Sequence, residues 1–308
     1  MRYGDLITRS FSVVWGHKYL WLLAVFGGAD VGDSPFGVVW AATFGFNFVS
    51  QVMPPSPWPI RLGILLVLVI GSFMITCATT GALVRASAEH DALRPFSLGL
   101  AWRAGLGALS SIFGLRMLQL LWVVLWASSA VTAIGVLVPL GVLAYQHHQN
   151  VALAVVIVAG LELVVAAAAA WILGGLAFIL AIRAVVLEES GPIRALRRGV
   201  QLMRARPGRV VVLWLLQIAL GFAGSSLQSL ILLPAILVAA ALVAAAGVAI
   251  GVVAAVALGI PFGLALLGAA ILLYAILEGY LSIYWTLAFR RLEMDSPHTG
   301  HRQHTYLP

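Results

Sequence analysis

Uninterrupted apolar runs dominate this chain, and several are longer than a lipid bilayer is thick. They fall at about Tyr19 to Gly28, Ile60 to Arg85, Ser110 to Tyr145, Val151 to Leu187, Val210 to Leu233 and Ala235 to Phe289. A helix rises about 1.5 Å per residue, so about 20 apolar residues cross the hydrocarbon layer. Runs of this kind do not suit a water-soluble domain, of which roughly a quarter of the residues are charged. Here 9% are charged, 62% are hydrophobic and the mean hydropathy is +1.04. Lipid is therefore the expected solvent, and the expected fold is an all-α polytopic transmembrane bundle. Six spans fit the runs, or eight if the stretch after Pro234 folds as a hairpin. Pro139, Pro234 and Pro261 are the expected break points, since proline removes a helix hydrogen bond and clashes with the preceding turn.

Little length remains for a soluble domain. Residues 1–295 read as one integral membrane domain and residues 296–308 as a flexible cytoplasmic tail. The apolar core at Tyr19 to Gly28 follows a long segment containing Asp5, unlike the short basic start of a secretory signal, so it is expected to be retained. The single cysteine, Cys77, lies inside an apolar run, which excludes an intrachain disulfide and a cysteine metal cluster.

The net charge of +7 follows a membrane rule rather than a nucleic-acid one. Arg85, Arg94 and Arg103 fall in one loop, and Arg183, Arg194, Arg197, Arg198, Arg204, Arg206 and Arg209 in another. Arg2, Arg9 and Lys18 lie at the N-terminus and Arg290, Arg291 and Arg302 at the C-terminus. Asp30, Asp33, Arg61, His147 and His148 fall on the opposite side. Excess positive charge marks the cytoplasmic side, so both termini are expected there, with an even number of crossings.

Three segments before the apolar hairpins have the pattern of short surface helices. In Ser190 to Arg206, Ser190 can cap, Pro192 suits the first turn and Pro207 stops the helix. Ile193, Leu196, Val200 and Met203 recur on one face, and Arg194, Arg197, Gln201 and Arg204 on the other. Such a helix suits a membrane interface, pairing Arg194, Arg197, Arg198 and Arg204 with anionic headgroups; an ordinary connector with a solvated basic face fits the same pattern. Asp5 to Trp15 repeats it around Arg9, with Ile7, Phe11 and Val14 on the apolar side, and Phe96 to Leu106 repeats it more weakly. Arg9, Arg103 and Arg198 are spaced by 94 and 95 residues. The spacing suggests three parallel units of interfacial helix plus hairpin, at residues 1–91, 92–190 and 191–295.

Two stretches carry a resemblance. "AIRAVVLEESGPIRALRRGVQLMRARPGRVVVLWLLQ" (Ala181 to Gln217) and "GYLSIYWTLAFRRL" (Gly279 to Leu292) resemble bacterial integral membrane proteins related to the membrane domain of glycerophosphodiester phosphodiesterases. "GDLITRSFSVVWGHKYLWLLAVFGG" (Gly4 to Gly28) is similar to the opening of many such proteins. The resemblance implies a six-span helical fold in a bacterial cytoplasmic membrane. It implies no active site, because the soluble domain that carries the family's acidic metal ligands has no counterpart here. The use of 17 arginines against one lysine agrees with a GC-rich bacterial genome.

Ionisable residues inside a membrane are functional candidates by default. Glu278 lies 12 residues before Arg290, about 18 Å along a helix, which places it near the midplane by that count. Glu162 falls nearer the outer face. Tyr274 shares the face of Glu278, and Gln119, Gln217 and Gln228 would join them if the bundle turns them inward. The set suits either a proton-coupled carrier or structural glue between helices, with Arg116 as a partner if it does not snorkel to the interface. Gly247, Gly251, Ala255, Gly259 and Gly263, each four apart, form a ridge of small residues suited to close packing within the chain or to a homodimer seam. The tail histidines His298, His301 and His304 suit a disordered tail better than a metal site.

No phosphate loop, zinc-protease motif or nucleophile elbow occurs, and no cofactor or metal is expected. The expected function is a non-catalytic scaffold or lipid-organising protein whose partners are anionic lipids and, in a homo-oligomer, further copies of itself, with no nucleic acid. A transporter of lipid or a small solute through Glu278 is the alternative, and a membrane-embedded lipid enzyme around His17 and His90 the third reading.

Overall fold

The computed structural model describes residues 3–27 and 58–294. The described elements are helices: α1 (Tyr3–Gly16), α2 (Tyr19–Gly27), α3 (Trp58–Asp91), α4 (Leu98–Gln146), α5 (Asn150–Leu187), α6 (Pro192–Ala205), α7 (Pro207–Ala249) and α8 (Val252–Met294). Five of them, α3, α4, α5, α7 and α8, are long and apolar enough to cross a membrane. The chain is an all-α, multi-pass membrane protein. Asp30, Asp33, Arg2, Arg302 and the tail histidines lie outside the described residues.

The long helices differ from the expected segmentation. Pro139, Pro234 and Pro261 all lie inside continuous helices. A helix break in lipid strands many backbone groups, whereas one proline strands a single carbonyl, so continuity is the cheaper state. The surface helix expected at Phe96 to Leu106 is the first part of the 49-residue α4 rather than a separate element. Five candidate spans lie among the described residues, and the stretch after Pro234 does fold back, at Ile250 and Gly251. Gly251 has φ +111°, a conformation open to glycine at no steric cost. The small-residue ridge is therefore not one ridge: Gly247 lies in the last turn of α7, Gly251 turns, and Ala255, Gly259 and Gly263 belong to α8. A Cβ at Gly247 would lie 3.3 Å from Ala255 and one at Gly259 would lie 3.7 Å from Val243, so these residues close the hairpin on itself.

The chain divides into two compact units. Unit 1 comprises Met1–Gly32, Leu66–Leu109 and Arg204–Pro308, and unit 2 comprises Asp33–Leu65 and Ser110–Met203. In unit 1, α8 packs against α1, α2 and α7. The indole of Trp285 donates to Gln217 Oε1 at 2.8 Å, and Tyr284 donates to the Leu213 carbonyl at 3.0 Å. Both bonds pin α7 to α8. Thr80 donates to the Gly27 carbonyl at 3.0 Å, tying α2 to α3. In unit 2, the buried stretch Leu176 to Val186 of α5 forms the core. Trp122 packs there between Trp171 and Phe178, over Gly174, where any Cβ would collide with the indole.

Burial is concentrated at one end of α3, α5 and α8. In α8 it starts at Ala275 and runs to Leu292, in α3 it starts at Cys77, and in α5 it starts at Leu176. Beyond those points the arms are bare.

Candidate functional site

The short basic helices and the charged residues around Asp91 are the chemically distinctive parts of the two units. α6 has three faces. Ala195, Gly199 and Leu202 are buried, and a Cβ at Gly199 would lie 2.6 Å from the Ala177 carbonyl of α5. Glycine here lets the helix backbones touch. Arg194, Arg197, Gln201 and Arg204 are exposed, while Leu196, Val200 and Met203 are half-buried and Ile193 is 67% exposed. The large apolar face is thus left partly open, because the small residues rather than the large ones meet α5. Arg198 instead pairs with Glu188 at 3.1 Å.

The same docking occurs in unit 1. Ala101 and Gly105 of α4 are buried, and a Cβ at Gly105 would collide with the Ala78 carbonyl of α3. In α1 the buried residues include Leu6 and Ser10, and Arg9 is exposed. Leu6, Ala101 and Ala195 are spaced by 95 and 94 residues, as are Ser10, Gly105 and Gly199. Phe11 and Trp15 of α1 stack with centroids 5.8 Å apart and are both more than half exposed. The indole of Trp15 is amphipathic, and such rings favour a membrane–water boundary.

Asp91, at the end of α3, joins three elements of unit 1. Arg9 Nε meets Asp91 Oδ1 at 2.5 Å, and its guanidinium donates to the Asp91 carbonyl at 2.7 Å. Arg290 of α8 donates to Asp91 Oδ2 at 2.7 Å and to the Ala88 carbonyl at 3.0 Å. One turn back, Glu89 takes Arg85 at 3.2 Å and Arg94 at 3.5 Å. The His17 and His90 rings stack 3.6 Å apart, and the Tyr19 hydroxyl bonds His90 Nε2 at 2.5 Å and donates to the Phe96 carbonyl at 3.3 Å. Burial pushes the Tyr19 phenol up to about 12, which keeps its proton available to these partners. His90 lies past the apolar run of α3. Burial lowers its pKa, the facing His17 lowers it further, and Glu89 opposes both. His17 and His90 were singled out in the sequence; Asp91, which organises their surroundings, was not.

The expected polar cluster is divided between the units. In unit 1, Gln217 is engaged by Trp285, Gln228 and Glu278 are half-buried, and Tyr274 is exposed. In unit 2, Gln119 accepts from buried Arg116 at 3.0 Å, and Glu162 is exposed on α5. Arg116 is thus held within the fold. A groove of about 630 Å³ opens between α4 and α5, lined by Ser128, Ser129, Thr132 and apolar side chains. Each of the three hydroxyls donates to a carbonyl of its own helix, so the groove presents little unsatisfied polarity. Among the described residues no cluster of three or more metal-ligating side chains occurs.

No family model, curated protein or solved structure matches the chain.

Proposed function

We propose that the protein is a non-catalytic, lipid-organising scaffold of a bacterial cytoplasmic membrane, with both termini cytoplasmic, which gathers anionic lipids at its short basic helices. The observation that carries this reading is the three-faced α6. Its small residues dock on α5, its arginines 194, 197 and 204 reach outward, and its larger apolar side chains remain half open beside them. That division suits a helix lying at the headgroup level, with acyl chains against one outer face and phosphates against the other. Arg9 on α1 and Arg103 on α4, both exposed on helices docked by another face, extend the same chemistry.

A carrier would need a polar route, and the groove between α4 and α5 has its hydroxyls already bonded. An enzyme would need an accessible base, whereas His90 is buried against Tyr19 and Asp91 is spanned by two arginines.

Purified protein in nanodiscs of mixed zwitterionic and anionic lipid tests the reading, with retained lipid counted by native mass spectrometry. Wild type should enrich anionic lipid several-fold over the bulk ratio. Replacing Arg194, Arg197 and Arg204 together by Gln should remove most of that enrichment while leaving the fold intact. Equal lipid composition around the two proteins would refute it.

A further inference from the structure

The α7–α8 hairpin is twice as long as a bilayer requires. Each arm has 43 residues, or about 65 Å, against a hydrocarbon layer of about 30 Å. The lower half of α8 is packed by protein from Ala275 onward, the lower half of α7 is packed on one side only, with Phe222 exposed, and the two lower halves contain the polar residues of the hairpin. The upper half is different in kind. From Leu230 to Leu273 no residue has a polar side chain, and this stretch gives each arm a length of about 30 Å. Apart from the seam between the two arms, where Ala239 and Ala246 are buried, its surface is open: Leu237 and Leu264 are 61% and 64% exposed, and at the turn Val248 and Val253 are 91% and 85% exposed. A protein partner would cover one face. Exposure all round the outside of the paired arms, with no polar group to direct recognition, suits a fluid apolar solvent.

We propose that the acyl chains of the host bilayer occupy the bare arms between Leu230 and Leu273, and that the packed base beneath them lies at and below the headgroups. Glu278, five residues beyond Leu273, then sits about 8 Å outside the hydrocarbon rather than near its midplane. Counting inward from Arg290 puts it too deep, because the base of α8 is sheathed by α1, α2 and α7 instead of lipid. In unit 2 the same criterion starts the bare arm of α5 above Leu176. Glu162 is 14 residues above that point and 12 from Asn150, about 20 Å from either end, which makes it the intramembrane carboxylate.

The proposal shares with the functional reading the idea that the short helices mark the headgroup level. It makes no use of headgroup charge, so the two fail separately. An environment-sensitive fluorophore is attached to Ile250→Cys, Leu264→Cys or Tyr274→Cys in a Cys77→Ala background, and quenched in unilamellar liposomes by lipids with nitroxides at position 5 or 12 of the acyl chain. Leu264 should be quenched several-fold more by the deep nitroxide, and Ile250 and Tyr274 more by the shallow one. Deeper quenching at Tyr274 than at Leu264 would return Glu278 to the midplane and overturn the proposal. It would equally be overturned if the Leu264 site escaped both quenchers, which would mean that a second copy covers the arm.

Discussion

Asp91 holds Arg9 and Arg290, which lie 82 and 199 residues away in sequence, and through them it fixes the start of the chain and the end of α8 to α3. Asp91→Ala should lower stability by about 1–2 kcal/mol, a modest figure because the pairs are partly exposed. Arg9→Ala should cost less, since that side chain is half exposed; thermal unfolding in nanodiscs reads both. His90 adds a pH dependence. Its folded pKa lies below its ordinary 6.5, so its contribution is intact above about pH 6.5 and is lost as pH falls through the lowered value. Hydrogen exchange in α2, corrected for intrinsic rates, should therefore increase on acidification, and His90→Gln should flatten the change. These contacts were hard to read in advance. Gln217 was legible as a polar residue in an apolar run, but only packing reveals that it satisfies Trp285, 68 residues on. Nothing beside Asp91 in the sequence marks it as a hub, because its partners come from the two ends of the chain.

Glycines do the docking at the level of helices, and they separate into two kinds. A Cβ at Gly105 or Gly199 would meet the backbone of α3 or α5, whereas Gly107 and Gly208 face open space. Gly105→Ala and Gly199→Ala should each destabilise by about 1–3 kcal/mol through overpacking. Gly107→Ala and Gly208→Ala should be neutral or raise stability by up to about 1 kcal/mol through helix propensity. Chemical denaturation of the four variants in one detergent provides the comparison. The existence of α1 and α6 was legible, since each has apolar and basic positions at helical spacing before a break. Which face packs was not, because hydrophobicity favours the large residues and close approach favours the small ones. The ends of the long helices were equally obscure. Leu93, His148 and Glu189 adopt the left-handed backbone usually left to glycine, so three of the five connections between α3 and α8 lack the expected sign.

For the molecule as a whole, the near absence of charge announced a multi-pass helical protein, and the structure agrees. The division of each hairpin into a packed base and bare arms was not visible, because both halves are apolar and differ only in what surrounds them. The one sequence sign of it is the retreat of polar side chains from α7 and α8 between Leu230 and Leu273, easily mistaken for two ordinary spans in series. The turn between those helices has a consequence for how the protein is made. With both termini cytoplasmic, as proposed, assembly must carry His147, His148, Gln149 and Asn150 between α4 and α5 through the hydrocarbon, and each of those groups resists the passage. Between α7 and α8 only Ile250 and Gly251 make the turn, so nothing charged or polar has to be translocated. That hairpin can enter the membrane as a preformed pair, drawn in by the partitioning of its own side chains and indifferent to the voltage across the bilayer.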